Sequence, residues 1–133
     1  MDEGLREQAL EWFVRGDREI ETAQLLYDHR WYTDIIAYHV QQAVEKYLKG
    51  YLVLKGQRPP WVHELDRLLA DASRLKADLY PRFIELCEKA TRYYLEDRYP
   101  PGPAPEYTHD EIKADLDHAW ELIQIIKREA VLP

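Results

Sequence analysis

The sequence predicts an all-α protein: an up-and-down bundle of four long helices with one additional short helix. Apolar residues recur every three or four positions in four long segments and one short segment. No stretch shows the strict apolar–polar alternation, bounded by hairpin turns, that a half-buried strand requires. At 133 residues the chain has the length of one domain, so we expect a single helical domain over residues 1–133.

The first two predicted helices cover residues 5–28 and 33–54. Gly16 weakens the first helix but permits another helix to approach it closely. Thr33 is placed to cap the second helix, and Gly56 is placed to end it. The second helix should be the central one, because about half of its circumference is apolar. Its predicted apolar seam consists of Ile36, Val40, Ala43, Tyr47, Tyr51 and Leu54.

Prolines separate the next two predicted helices. A loop at residues 55–60 should precede a short helix over residues 63–72. Pro81 suits the first turn of the following helix, which should end near Arg98. The residues that we expect to point inward from this helix are Ile84, Cys87, Ala90 and Tyr94.

The last helix has the clearest start signal. Residues 100–105 contain four prolines and a glycine, which predicts a short fixed crossover rather than a domain linker. Thr108 and Glu111 then have the spacing of a capping box. The expected inward row of this helix is Ile112, Leu116, Ala119, Ile123 and Ile126.

Composition restricts the setting and the partners of the protein. With 25 acidic and 18 basic residues the net charge is −7, so any contact with nucleic acid must be local. A single cysteine, and no apolar run near the roughly 20 residues of a bilayer span, predict a cytoplasmic protein without membrane contact. The absence of Asn favours a heat-adapted source. Ten Tyr and four Trp exceed the needs of a small core, so we expect a homodimer with an aromatic interface.

Neither a metal nor a cofactor is expected. Helical bundles that bind paired metals carry Glu-x-x-His on each of two helices, and this chain has that spacing once, from Glu106 to His109. Asp115 and His118 lie one helical turn apart, but a solvated acidic face explains them as well as a metal site does. No glycine-rich loop that cradles phosphates is present in the sequence.

Two groups of side chains are candidates for binding a nucleotide. Opposite the seam of the second helix lies an arc that is either its solvated face or an anion-binding strip. The arc consists of His39, Gln42, Lys46 and Lys49. Arg92 and Arg98 offer guanidinium groups for phosphate, and neighbouring tyrosines offer rings for base stacking, although the same rings would serve as core and interface. Those tyrosines are Tyr93, Tyr94 and Tyr99.

Residues 37–49, Ala-Tyr-His-Val-Gln-Gln-Ala-Val-Glu-Lys-Tyr-Leu-Lys, resemble the segment by which HEPN domains are recognised. Three further segments resemble the family in the same order: Asp17, Ile20 and Ala23; His63-Glu64-Leu65; and Arg98-Tyr99-Pro100. The resemblance covers nearly the whole chain. It implies a four-helix core with an added short helix, dimerisation, and pairing with a minimal nucleotidyltransferase in a system like the toxin–antitoxin pairs.

Many HEPN proteins are metal-independent ribonucleases that use an Arg followed, four to six residues later, by a His. Arg98 stands about where that Arg belongs, but the first histidine after it is His109, beyond the proline crossover. If the crossover folds back, His109 would act as general acid or base and Arg98 would stabilise the phosphorane charge. Arg58 and His63 have a matching gap in a different loop, which we interpret as coincidence.

The sequence therefore favours a HEPN-like module that dimerises and partners a nucleotidyltransferase. Such a module would bind nucleotide or single-stranded RNA through residues such as Lys46, Lys49, Arg92 and Arg98. The alternatives are a toxin-like ribonuclease and a purely structural helical interaction protein.

Overall fold

The computed structural model describes the backbone of residues 3–98 and 107–131 and the side chains of residues 3–92 and 107–131. These ranges contain five α-helices and no β-strand. In chain order the helices are α1 (Glu3–Asp28), α2 (Thr33–Leu54), α3 (Leu65–Ser73), α4 (Leu79–Arg98) and α5 (His109–Glu129). The predicted all-α class, with four long helices and one short one, is confirmed.

Helix α2 is the centre of the bundle, because it packs against each of the other four helices. All six residues of its predicted seam are buried, and Val44, Leu48 and Leu52 beside the seam are buried with them. The inward row predicted for α5 is also fully buried. In α4, Cys87 and Ala90 are buried and Ile84 packs against the core at partial burial, while the side chain of Tyr94 lies outside the described residues.

Helices α1 and α2 approach closely through a glycine on each. A Cβ atom added to Gly16 of α1 would lie 2.5 Å from the Tyr47 ring, and one added to Gly50 of α2 would lie 2.6 Å from the Phe13 ring. The Phe13 and Tyr47 rings stack between them, with centroids 5.0 Å apart. Two aromatic side chains therefore fill the space that the absent side chains leave.

The turns that end α1 and α2 have the same hydrogen-bond pattern. After α2, the Gly56 amide donates to the Val53 carbonyl and the Gln57 amide donates to the Leu52 carbonyl, with Gly56 at φ +79°. After α1, Arg30 takes the position of that glycine, at φ +51°. This is the Schellman arrangement, which satisfies carbonyls at the end of a helix. Gly56 ends α2 as predicted, whereas an arginine in the left-handed region gave no sequence signal.

One predicted cap and one predicted helix start are wrong. Helix α2 begins at Thr33 as predicted, but Thr33 is not its cap: Tyr32 occupies the cap position and makes no side-chain capping bond. Helix α3 begins at Leu65 rather than His63, with Glu64 in the cap position. At α5 one of the two hydrogen bonds of the predicted capping box is confirmed, since the Thr108 hydroxyl accepts a hydrogen bond from the Glu111 amide at 3.1 Å.

The start of α3 is stabilised by another helix. The Leu65 amide donates to the Thr91 hydroxyl of α4 at 3.0 Å, and that hydroxyl donates to the Cys87 carbonyl at 2.9 Å. Thr91 thus caps α3 from another helix, a role that a residue next to the helix start usually has.

None of the helices in the described ranges combines the length and apolar character that a bilayer span requires.

Candidate functional site

The polar arc of α2 lies against α1 and is largely shielded from water. The side chains of His39, Gln42 and Lys46 are half-buried, and Lys49 is buried. Glu19 of α1 reaches two of them, because its carboxylate lies 2.6 Å from His39 Nδ1 and 3.5 Å from Lys46 Nζ. The arc is therefore an inter-helix contact and not the solvated face of α2.

Hydrogen bonds continue from this contact along α2. Lys46 Nζ donates to Gln42 Oε1 at 2.8 Å, and the Gln42 amide donates to Gln41 Oε1 at 2.7 Å. The Gln41 amide in turn donates to Glu45 Oε1 at 3.3 Å. We call this connected set the α2 polar chain. Its members are Glu19, His39, Gln41, Gln42, Glu45, Lys46, Lys49 and His63.

Glu45 is the branch point at the far end of the α2 polar chain. Lys49 Nζ donates to Glu45 Oε2 at 3.5 Å, and His63 Nδ1 lies 2.9 Å from Glu45 Oε1. Glu45 and Lys49 are buried, at 5% and 7% exposure, while the side chain of His63 is 53% exposed. The carboxylate thus fixes the orientation of an imidazole whose other edge faces solvent.

Charge pairing limits what the predicted strip can bind. Each of its two lysines has a carboxylate within 3.5 Å, Glu19 for Lys46 and Glu45 for Lys49. A phosphate that approached either lysine would compete with a carboxylate already in place. The periodicity of α2 identified the four strip residues but gave no role to Glu19, Gln41, Glu45 or His63. Gln41, Glu45 and His63 lie in the segments that resemble the HEPN family, and Gln41, Glu45 and Lys49 follow one another at four-residue spacing. No sequence signal singled out Glu19.

The second group of predicted nucleotide-binding residues includes Arg92 and Arg98, which stand toward the C-terminal end of α4. Arg92 is exposed, and Arg98 is the last residue of α4, with its side chain outside the described residues. The side chains of Tyr93 and Tyr94, and all of Tyr99, are also outside them. The structure therefore leaves the stacking role of these tyrosines as a prediction.

His109 is the first residue of α5 and packs against α1. Its ring centroid lies 6.3 Å from that of Tyr27. Its Nε2 atom is buried, and no hydrogen-bond partner for it occurs in the described part of the chain. One imidazole nitrogen therefore has no hydrogen-bond partner among the described residues, and residues 99–106, which precede it in the chain, lie outside them.

Acidic residues in the described ranges do not gather into a metal-binding cluster. No group of three or more His, Cys, Asp or Glu side chains there has the arrangement to hold an ion. Asp115 is buried, with Lys89 Nζ 3.8 Å from its carboxylate, whereas His118 is exposed.

Burial raises the pKa of the Cys87 thiol well above its usual range, so Cys87 stays protonated and packs as a small hydrophobe.

These features define a small all-α protein whose central helix carries a partly buried polar chain. The family model of the HEPN domain matches residues 9–129. The chain belongs to the HEPN family, as the resemblance of residues 37–49 predicted.

Two known proteins are similar to the chain over most of its length. One is a protein of Methanocaldococcus jannaschii, MJ1304, whose name describes it as a candidate toxin. It is 26% identical over 139 residues, which cover 95% of this chain and 91% of that protein. The other is the crystal structure of TT1696 from Thermus thermophilus, with a TM-score of 0.75 and 28% identity, covering 91% of this chain and 97% of that one. The match to a solved structure supports the five-helix arrangement.

Proposed function

We propose that this protein is the toxin-like HEPN component of a two-component system, and that it forms a homodimer which binds a minimal nucleotidyltransferase. The observation that carries the proposal is the similarity to the M. jannaschii protein named as a candidate toxin, which extends over nearly the full length of both chains. Because the similarity covers 95% of this chain, it extends over the whole bundle, including α4 and α5, and is not limited to one helix.

An exposed aromatic surface at the α1–α2 turn supports the homodimer. Leu25, Trp31 and Tyr32 are 57%, 50% and 67% exposed, and the two rings meet edge to face with centroids 5.2 Å apart. Large aromatic side chains are enriched at protein interfaces, where burial of their surface contributes much of the binding energy. We assign the homodimer contact to this surface.

Sedimentation of the purified chain tests the assembly. The wild-type protein should sediment as a dimer at micromolar concentration, and Trp31→Ala combined with Tyr32→Ala should shift it to monomer. Tyr80→Ala, which removes an exposed tyrosine from α4, is the matched control. Co-purification with a nucleotidyltransferase encoded beside this chain tests the partner. A strict monomer that captures no such partner would overturn the proposal.

A second candidate function is metal-independent cleavage of RNA by Arg98 and His109. The observation that favours it is the buried Nε2 of His109, which has no partner among the described residues and lies where α5 begins. In this mechanism His109 Nε2 would accept or donate a proton, and the guanidinium of Arg98 would stabilise the negative charge on the phosphorane.

The test is incubation of the protein with mixed single-stranded RNA in the presence of a chelator. Cleavage should persist in the chelator and fall by at least about 100-fold in Arg98→Ala and in His109→Ala, the range that a general acid or base contributes. Arg15→Ala, at an exposed position of α1, is the matched control and should keep the wild-type activity. Cleavage that is unchanged in both Arg98→Ala and His109→Ala would remove these residues from the site.

Nucleotide binding was predicted for His39, Gln42, Lys46, Lys49 and Arg92, and under this proposal only part of that set keeps the role. Glu19 and Glu45 already neutralise the two lysines, and two of the strip residues, His39 and Lys46, pair with Glu19 of α1. Arg92 is the member that stays exposed. We therefore propose Arg92 as an RNA contact and assign the strip mainly to holding α1 on α2.

A further inference from the structure

A small cavity opens at the end of the α2 polar chain, between α1, the last turns of α2 and the loop that precedes α3. Its volume is about 240 Å³. The side chains that matter for its chemistry are Trp12 of α1, Lys49 of α2, and Arg58, Pro59, Pro60 and Trp61 of the loop. This combination of two indoles, two cations and a proline-stiffened edge is not used by the proposed homodimer contact or by Arg98 and His109.

Trp61 is a large apolar side chain with no cover from the described part of the chain. It is 97% exposed, the highest value among the large hydrophobic residues of the described ranges. Exposing an indole forgoes the stabilisation that its burial would provide, so a fully exposed one points to a role outside folding.

The backbone beneath Trp61 is held in place on both sides. Pro59 and Pro60 have fixed φ angles, and Val62 packs against the hydrophobic core. The loop begins where the Gln57 amide donates a hydrogen bond to the Leu52 carbonyl, at 2.8 Å, and ends where the Leu65 amide donates to the Thr91 hydroxyl. A ring on an anchored backbone loses little conformational entropy when a second ring stacks on it.

Two cationic side chains, Lys49 and Arg58, line the cavity. Lys49 Nζ is buried, 5.6 Å from the centroid of the Trp12 ring, and its charge is paired with Glu45. Arg58 is exposed, and within the described residues its guanidinium has no ion pair or hydrogen bond. Arg58 is therefore the uncompensated positive group at the cavity, and a guanidinium binds phosphate in a bidentate manner.

We propose that this cavity binds one nucleotide unit, with its base stacked on Trp61 and its phosphate on Arg58. Stacking on an aromatic side chain combined with a cation for the backbone is how proteins hold single-stranded nucleic acid and nucleotides. Sites for drug-sized ligands span roughly 300–1,000 Å³, so a cavity of about 240 Å³ is better matched to one nucleotide unit than to a larger ligand.

This inference rests on the proposed function for its ligand class, because a protein that acts on RNA needs a contact that holds the strand. It depends on neither Arg98 nor His109. The nucleotide can come from a single-stranded RNA or from a free nucleoside monophosphate, and the two sources share the base and phosphate that the cavity recognises.

Binding measurements on the full chain test the proposal. The probes are a fluorescein-labelled single-stranded RNA of mixed sequence, followed by anisotropy, and the four nucleoside monophosphates, followed by calorimetry. Trp61→Ala should weaken binding about tenfold, which corresponds to roughly 1.4 kcal/mol and lies within the range for one stacked base. Arg58→Ala should weaken binding and lower the salt dependence of the dissociation constant.

Two matched variants control for loss of a surface aromatic ring or a surface Arg. Tyr80→Ala removes an exposed ring from α4, and Arg15→Ala removes an exposed Arg from α1. Both should bind the probe within about twofold of wild type. Since Trp61 and Arg58 are exposed, their variants should keep the wild-type circular dichroism and melting temperature, which confirms that any loss of binding is local.

The outcomes distinguish single-stranded RNA from a free nucleotide as the ligand, and they distinguish failure of the cavity proposal from failure of the proposed function. Binding of RNA alone, lost in Trp61→Ala, assigns the cavity to nucleic acid, and binding of a monophosphate, lost in the same variant, assigns it to a free nucleotide. Wild-type affinity in both Trp61→Ala and Arg58→Ala, or no binding by the wild-type chain, overturns the cavity proposal. Dimerisation and RNA cleavage are measured separately, so a dimer that cleaves RNA but fails these tests keeps the proposed function and loses only the cavity.

Discussion

The ring of Tyr47 lies so close to Gly16 that the two helices have no room for a Cβ atom between them. An added Cβ would lie 2.5 Å from Tyr47 Cδ2 and 2.7 Å from Cε2. The ring cannot move aside, because it stacks on Phe13 and its hydroxyl donates to the Asp17 carboxylate. Burial, followed by this hydrogen bond, raises the pKa of Tyr47 far above its usual value, so the hydroxyl remains a donor.

Gly16→Ala should therefore destabilise the protein although alanine favours helix. The gain in helix propensity is about 1 kcal/mol, and the overpacking of a full core costs about 1–3 kcal/mol. We expect a net loss of about 1 kcal/mol in the free energy of unfolding, measured by urea denaturation. Gly4→Ala, at an exposed position of the same helix, should instead be neutral or stabilising. A Gly16→Ala protein as stable as the Gly4→Ala protein would contradict the close contact.

Thr91→Val should loosen the start of α3. Valine keeps the shape of threonine but cannot accept the hydrogen bond from the Leu65 amide, so that amide loses its partner. The expected loss in the free energy of unfolding is about 1 kcal/mol, as for a lost helix cap. Hydrogen exchange of the Leu65 amide should accelerate in the variant while amides in the middle of α2 stay protected. Equal acceleration at both places would show a global effect instead of a capping one.

Glu45→Ala should be more damaging than the loss of an ordinary ion pair. It leaves the buried ammonium of Lys49 without its carboxylate, which costs about 3–5 kcal/mol. The double variant Glu45→Leu, Lys49→Met removes both charges and should recover most of that loss. Chemical denaturation of the single and double variants measures the difference.

The exposed pair of Lys113 and Asp117 in α5 is a matched control for that experiment. It has the same four-residue spacing and a shorter separation of 3.0 Å. Asp117→Ala should nevertheless have little effect on the free energy of unfolding, because water screens an exposed pair. If Glu45→Ala were as mild as Asp117→Ala, the α2 polar chain would not stabilise the fold.

Alkaline conditions should weaken the fold through Tyr51. Burial, and then the nearby Glu129 carboxylate, raise the pKa of Tyr51 from 10.0 to about 12. The folded chain therefore keeps this proton between about pH 10 and 12, where the unfolded chain releases it. The contribution is complete below about pH 10 and is lost as the pH rises to about 12.

Tyr51→Phe isolates this effect. At about pH 8 the variant lacks the hydrogen bond that the Tyr51 hydroxyl donates to Glu129 at 3.3 Å, so it should be less stable than wild type. At about pH 11 the difference should shrink or reverse, because phenylalanine has no proton to lose in the unfolded chain. Urea midpoints at both pH values measure it, and a difference that stays constant would exclude Tyr51 as a source of the pH dependence.

Local sequence signals predicted the helices well where they act alone. Helix α2 runs from Thr33 to Leu54 as expected, because its apolar period is continuous and Gly56 supplies the left-handed residue that ends it. The capping hydroxyl of Thr108 was also predicted correctly, since the residue it caps is three positions away. Such signals lie within one helical turn of their effect.

Contacts between helices could not be predicted in the same way. The polar arc of α2 was compatible with either a solvated face or an anion site, because periodicity separates two faces of a helix without showing what covers each. Glu19, twenty residues before His39, covers it. The cap of α3 could not be predicted for a similar reason, because Thr91 follows Leu65 by twenty-six residues. The cavity at Trp61 likewise needs α1, α2 and the loop to be brought together.

The central position of α2 sets the order in which the chain can complete its fold during synthesis. Helices α1 and α2 leave the ribosome first, and their glycine-mediated contact can form between neighbours in sequence. The faces of α2 that α4 and α5 cover stay open until residue 129 has been translated. A nascent chain that stalls before α5 therefore presents an apolar helix to its surroundings, where it becomes a target for chaperones or for aggregation.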